Sequence, residues 1–133
     1  MDGKRLLILA IFGILGIVAL EGIMAHANGT VVAKVERDRQ VWRQTAEACL
    51  AVIRATGQPP RSWEALPPIP DGGMPWKDVR RRVALDFRYQ VKDLQTSAEA
   101  RQAWITLTRP SPLDLGPERE RLAKDLQDLP PRP

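Results

Sequence analysis

Two residue types that could carry nucleophilic or ligand chemistry occur once each in this sequence, as His26 and Cys49. A Cys–His nucleophile needs both side chains in one pocket, but His26 follows an apolar segment and Cys49 lies far along a helical pattern. A single histidine near a membrane surface can also ligate a haem or chlorophyll, although it is more simply a polar residue at a helix end. We therefore predict no catalytic residue and no cofactor bound by the protein itself.

Other motifs for catalysis or metal binding are missing from the sequence. It contains no CxxCH, no HExxH, no glycine-rich phosphate loop and no cluster of cysteines and histidines. The formal net charge is +4 over 133 residues, with basic and acidic residues interspersed, whereas a nucleic-acid footprint is a clustered basic face. The composition therefore favours a protein that is not an enzyme, holds no metal ion and binds no nucleic acid.

A long apolar segment, LLILAIFGILGIVALEG, covers residues 6–22. Lys4 and Arg5 precede it, and the next charge is Glu21. The positive-inside rule therefore places the N-terminus in the cytoplasm and the rest of the chain in the periplasm.

Two interpretations of this segment stay open. Residues 25–27 form an Ala-His-Ala triplet, which suits cleavage of a signal peptide. Residues 6–25 are also long enough for a membrane span, which needs about 20 apolar residues. We expect a retained signal-anchor over residues 1–27 in a bacterial inner membrane, followed by one small periplasmic domain over residues 28–133.

Small residues recur at every third position of the apolar segment. Such a row forms a shallow groove on a helix, where a neighbouring helix or a flat cofactor can approach the backbone closely. The alternative is that glycine and alanine are simply common in membrane helices. The predicted helix-packing residues are Ala10, Gly13, Gly16, Ala19 and Gly22.

The domain begins with a predicted long amphipathic helix. Asn28-Gly29 is typical of a helix break, Thr30 can cap a new helix, and apolar residues recur with helical spacing over Val31–Thr56. This stripe includes Cys49, which we expect to be buried. Gly57, followed by prolines, should end the helix.

Alternating residues predict a small antiparallel sheet after a proline-rich connection. VALDFRYQV, over residues 83–91, alternates apolar and polar side chains, and AWITLT, over residues 103–108, is rich in β-branched and aromatic residues. In the Pro-rich tail, residues 109–133, a short helix should start at Pro117; this tail could dock on its own domain, bind a partner or stay loose. The predicted fold is α+β: an N-terminal transmembrane helix, a long amphipathic helix packed on a small antiparallel β-sheet, and a short C-terminal helix.

Aromatic and basic residues supply the candidate partner contacts. Tryptophan is enriched at interfaces, but the four tryptophans of this small domain can also form its core. The run KDVRRR, over residues 77–82, is either a solvated loop or a contact for an acidic partner or anionic lipid. The candidates are Trp42, Trp76, Arg80, Arg81 and Arg82.

The order of these parts resembles the type IV pilins and type II secretion pseudopilins. TGQPPRSWEAL resembles the segment that ends the long helix in that family, DFRYQV resembles a following strand, and GIVALE places Glu21 five residues after Gly16, as in the prepilin cleavage motif. The apolar run precedes Gly16 here, whereas it follows the processed glycine in that family. The resemblance implies a helix-plus-sheet fold and a role in a secretion filament.

The expected function is that of a non-catalytic, single-pass accessory or scaffolding subunit of a larger membrane complex, whether respiratory, photosynthetic, secretory or transport-related. Its expected partners are the lipid bilayer and other membrane-protein subunits, together with cofactors that those subunits hold. Two alternatives are a pseudopilin-like filament component and a periplasmic binding module released by cleavage after Ala27.

Overall fold

The computed structural model describes the backbone of residues 3–130 and the side chains of residues 30–130. Its elements in chain order are α1 (Gly3–Thr56), a 3₁₀ turn (Trp63–Ala65), α2 (Trp76–Val79), β1 (Val83–Leu85), α3 (Val91–Thr96), α4 (Ala98–Trp104), β2 (Ile105–Leu107) and α5 (Gly116–Gln127). The fold is α+β, with a long helix, a two-stranded antiparallel sheet and a short C-terminal helix, as the sequence predicted.

The chain divides into two units, Met1–Lys34 and Val35–Pro133. The second unit contains both strands, helices α2 to α5 and the hydrophobic core. Within residues 30–130, whose side chains the structure describes, no helical segment is long and apolar enough to span a membrane. The side chains of the predicted membrane segment, residues 6–25, lie outside that description.

The predicted helix break at Asn28-Gly29 is wrong, because α1 continues through both residues to Thr56. One glycine costs a helix only about 1 kcal/mol relative to alanine, and no proline occurs before residue 59. The predicted C-terminal end is confirmed. Gly57 has a φ of 79°, and its N–H donates to the Ile53 carbonyl at 2.7 Å, which is a glycine-terminated helix end.

The strand predicted over residues 83–91 is much shorter, because local hydrogen bonds end it. The Asp86 carboxylate accepts the backbone N–H of Arg88 at 3.1 Å and turns the chain after Leu85. The Asp93 carboxylate accepts the N–H of Gln90 at 3.1 Å, which favours the start of α3. Such side-chain bonds to the backbone compete with a strand ladder.

The strand predicted over residues 103–108 is also too long, since its first two residues belong to α4. Ser97 caps α4 through its Oγ, which accepts the N–H of Ala100 at 3.1 Å. The segment between the two strands contains two helices, α3 and α4. β1 and β2 pair antiparallel, with Leu85 opposite Ile105.

The core joins α1 to the sheet and to the C-terminal helix. Trp42 of α1 is fully buried, and its indole N–H donates to the Ile105 carbonyl of β2 at 3.2 Å. Leu122 and Leu126 bury α5 in the same core. The tail helix therefore docks on its own domain, which is one of the three alternatives that the sequence left open.

Candidate functional site

Several predicted functional residues fall outside the part of the chain whose side chains are described. These are His26 and the helix-packing row of Ala10, Gly13, Gly16, Ala19 and Gly22. Cys49 is described and fully buried, as the apolar stripe predicted. Burial raises the pKa of the Cys49 thiol to about 12, because a buried thiolate loses its hydration. Cys49 is therefore an inert core residue rather than a nucleophile.

The structure separates the five candidate partner contacts. Trp42 is 1% exposed, so its prediction as a surface contact is wrong: the apolar stripe of α1 carries it into the core. Trp76 is half-buried, Arg80 and Arg81 are exposed, and Arg82 is half-buried. The candidates that remain at the surface follow one another closely in the chain, at and just after α2.

Trp76 and Arg80 line a shallow groove of about 780 Å³, which we call the aromatic groove. Its floor and walls are mostly apolar, and Ile69 within it is 44% exposed. The residues that line it are Trp63, Glu64, Leu66, Pro67, Pro68, Ile69, Trp76, Lys77 and Arg80. Exposed apolar surface framed by polar residues is typical of interaction sites.

Two interactions fix the tryptophans of the aromatic groove. The indole N–H of Trp76 donates to the Pro67 carbonyl at 2.9 Å, which holds the proline-rich wall against the ring. The guanidinium of Arg80 lies 5.7 Å from the centre of the Trp63 ring, within the range of a cation–π contact. Arg80 also lies 3.7 Å from the carboxylate of Glu64.

Gln44 of α1 positions the loop that forms this groove. Its side-chain amide makes two hydrogen bonds to the backbone of Met74: Nε2 donates to the carbonyl at 2.7 Å, and Oε1 accepts the N–H at 2.8 Å. Gln44 is buried, so these bonds form away from competing water. Gln44 was not among the residues predicted from the sequence, where its one signal is a polar residue beside the apolar stripe of a helix.

Phe87 also contacts Trp63 of the aromatic groove. The two ring centres lie 6.3 Å apart with an edge-to-face angle of 83°, a favourable aromatic geometry. Phe87 sits in the turn between Asp86 and Arg88. The side-chain hydrogen bond from Arg88 holds the pKa of the Asp86 carboxyl below its usual range, and it raises the pKa of Arg88.

The interaction of Asp86 with Arg88 should make the stability of the domain depend on pH. Asp86→Asn keeps an acceptor for the Arg88 N–H but removes the charge, so we expect a small drop in Tm at neutral pH. Because the folded pKa of Asp86 is lowered, the contribution of its charge is present above the ordinary carboxyl pKa of about 3.9. It is lost as the pH falls through the folded value. Thermal melts of the wild type and the variant from neutral to acid pH measure the difference in Tm between them. Added salt should reduce this difference, because Arg88 is exposed. A difference in Tm of the same size at every pH would contradict this role of the Asp86 charge.

A second groove, of about 520 Å³, lies between α1 and α5. Its basic and acidic lining residues balance in number: Arg43, Arg54 and Arg121 against Glu47, Glu118 and Asp125. Glu118 is buried. Its Oε1 accepts a hydrogen bond from Arg43 Nη2 at 3.2 Å and lies 3.0 Å from Arg39 Nε in an ion pair. These ion pairs connect α5 to α1, so the charged residues of this groove stabilise the contact between the two helices.

Comparison of the chain with protein-family models, with curated proteins and with solved structures finds no match.

Proposed function

We propose that this chain is a non-catalytic, single-pass accessory or scaffolding subunit of a larger membrane complex. Its N-terminal helix anchors it in a bacterial inner membrane, and its α+β domain lies in the periplasm. The observation that carries this proposal is helix α1, which runs unbroken from Gly3 to Thr56. One helix thus contains both the apolar run of residues 6–22 and core residues of the folded domain, such as Trp42.

The aromatic groove gives further support, because it offers a fixed apolar surface to another protein. The connection from Gly57 to Pro75 contains only one 3₁₀ turn, and connections longer than about 12–15 residues with little secondary structure are usually functional or disordered. Here Gln44 and Trp76 hold the loop in place. Tryptophan is enriched at subunit contacts and among the residues that contribute most to their affinity.

Affinity purification from native membranes tests the proposed function. A tagged full-length chain, extracted in mild detergent, should elute as a discrete complex whose other subunits mass spectrometry identifies. Gly16→Leu, which fills the predicted helix-packing row, should reduce the yield of those subunits, whereas Ile14→Leu outside the row should not. Elution as a lone monomer would contradict the proposal.

The unbroken α1 also suits the pseudopilin-like alternative, since that layout runs one helix from an apolar stretch into an amphipathic one. Sequencing of the mature N-terminus separates the possibilities. A retained anchor begins in the first residues, processing after Gly16 leaves Ile17 first, and signal cleavage after Ala27 leaves Asn28 first. Only the first outcome agrees with the proposed function.

A further inference from the structure

The aromatic groove is organised before any partner arrives. Gln44 holds Met74 through two hydrogen bonds, and Trp76 holds the Pro67 carbonyl. Prolines in the wall have a fixed φ, which restricts the loop further. A preorganised surface loses less conformational entropy when it binds. A short segment of another chain therefore needs fewer contacts to bind here than it would on a mobile loop.

The shape and surface of the groove suit side chains rather than a flat layer. Its volume of about 780 Å³ lies within the range of about 300–1,000 Å³ that is common for ligand pockets. Ile69 is exposed between two prolines, and the ring centres of Trp63 and Trp76 lie 6.3 Å apart. Apolar side chains of an extended segment can pack over these rings and against the exposed side chain of Ile69.

The rim of the groove is more basic than acidic. Lys77 and Arg80 line it together with one acidic residue, Glu64, which lies 3.7 Å from Arg80 and offsets its charge. The basic surplus therefore comes from Lys77 and from Arg81, which is exposed next to Arg80 in the chain. Opposite charges at the rim steer and orient a partner. The rim therefore favours an occupant that carries carboxylates beside its apolar side chains.

We propose that the aromatic groove binds a short extended segment of a partner subunit in which carboxylates flank an apolar centre. This inference rests on the proposed function, because it assigns one subunit contact to one surface. A protein segment is favoured over an anionic membrane because the groove is concave.

Peptide binding to the full-length chain in detergent micelles tests the inference by fluorescence anisotropy. The probe is a labelled peptide with a Leu-Pro-Phe-Leu centre flanked by glutamates. One comparison peptide has lysines in place of the glutamates, and another has serines in place of the apolar centre. We expect the acidic apolar peptide to bind most tightly.

Lys77→Glu should weaken the binding of this peptide roughly fivefold, the effect of reversing an exposed charge pair, and Ile69→Ser should also weaken it. Lys124→Glu, on the exposed face of α5, is the matched control and should bind as the wild type does.

The inference would be overturned if the serine peptide or the lysine peptide bound as tightly as the acidic apolar peptide. It would also be overturned if Lys77→Glu bound the acidic apolar peptide with the affinity of the wild type. Tighter binding of the chain to phosphatidylglycerol nanodiscs than to phosphatidylcholine nanodiscs, lost in Lys77→Glu, would assign the groove to lipid instead. Failure of the proposed function is distinguishable, because a chain that purifies alone from native membranes can still bind the peptide.

Discussion

Replacing Trp42 by alanine is expected to lower the free energy of unfolding by about 3–5 kcal/mol, the usual range for a buried tryptophan. Trp42 is 1% exposed and connects α1 to the sheet. Single domains have only about 5–15 kcal/mol of stability in total, so this one substitution removes a large share. Urea unfolding of the full-length chain, followed by circular dichroism, measures the loss.

The register of the sheet explains why the indole N–H also matters. The N–H of Thr108 donates to Arg82, and the N–H of Asp86 donates to Trp104. Because hydrogen-bonded pairs alternate along an antiparallel ladder, Ile105 lies at a non-hydrogen-bonded position. Its carbonyl therefore does not bond β1 and instead accepts the indole N–H of Trp42 at 3.2 Å.

Two further variants separate the ring from its hydrogen bond. Trp42→Phe keeps an aromatic ring but leaves the Ile105 carbonyl without its donor, which costs about 1–3 kcal/mol. Gln40→Ala, at an exposed position on α1, should stay within about 0.5 kcal/mol of the wild type. If Trp42→Ala were no more destabilising than Gln40→Ala, Trp42 would not be a core residue, and its assignment as a surface contact would have to be revived.

The buried face of α1 could be predicted because helical periodicity is a local property. Trp42, Ala46, Cys49 and Ile53 follow helical spacing, and all four are buried. The wrong prediction of Trp42 as a partner contact came instead from the enrichment of tryptophan at interfaces. A tryptophan on an apolar stripe belongs to the core, and the position of Trp42 on that stripe already favoured burial over exposure.

The strand lengths and the aromatic groove could not be predicted, for a different physical reason. Alternation over residues 83–91 holds in the sequence, but the side chains of Asp86 and Asp93 bond the backbone and turn it away from the ladder. The groove depends on the contact of Gln44 with Met74, thirty residues further along the chain. No periodic pattern specifies a contact at that separation.

Replacing Leu126 by alanine should destabilise the domain by about 2–5 kcal/mol and release α5. Leu126 is fully buried, and its carbonyl accepts the side-chain amide of Gln95 of α3 at 3.0 Å. Leu122, one turn earlier, is also buried. Hydrogen exchange measured by mass spectrometry should show slow exchange across Gly116–Gln127 in the wild type and fast exchange in the variant, because local opening then costs less free energy.

The same measurement decides whether the tail belongs to the fold or is free for a partner. Lys124→Ala, at an exposed position of α5, should leave both the exchange and the stability close to the wild type. The ion pairs of Glu118 with Arg39 and Arg43 should slow the opening of the first turn of α5 even in Leu126→Ala. Fast exchange throughout α5 in the wild type would mean that this helix does not dock on its own domain. The tail would then become a second candidate contact for the neighbouring subunits.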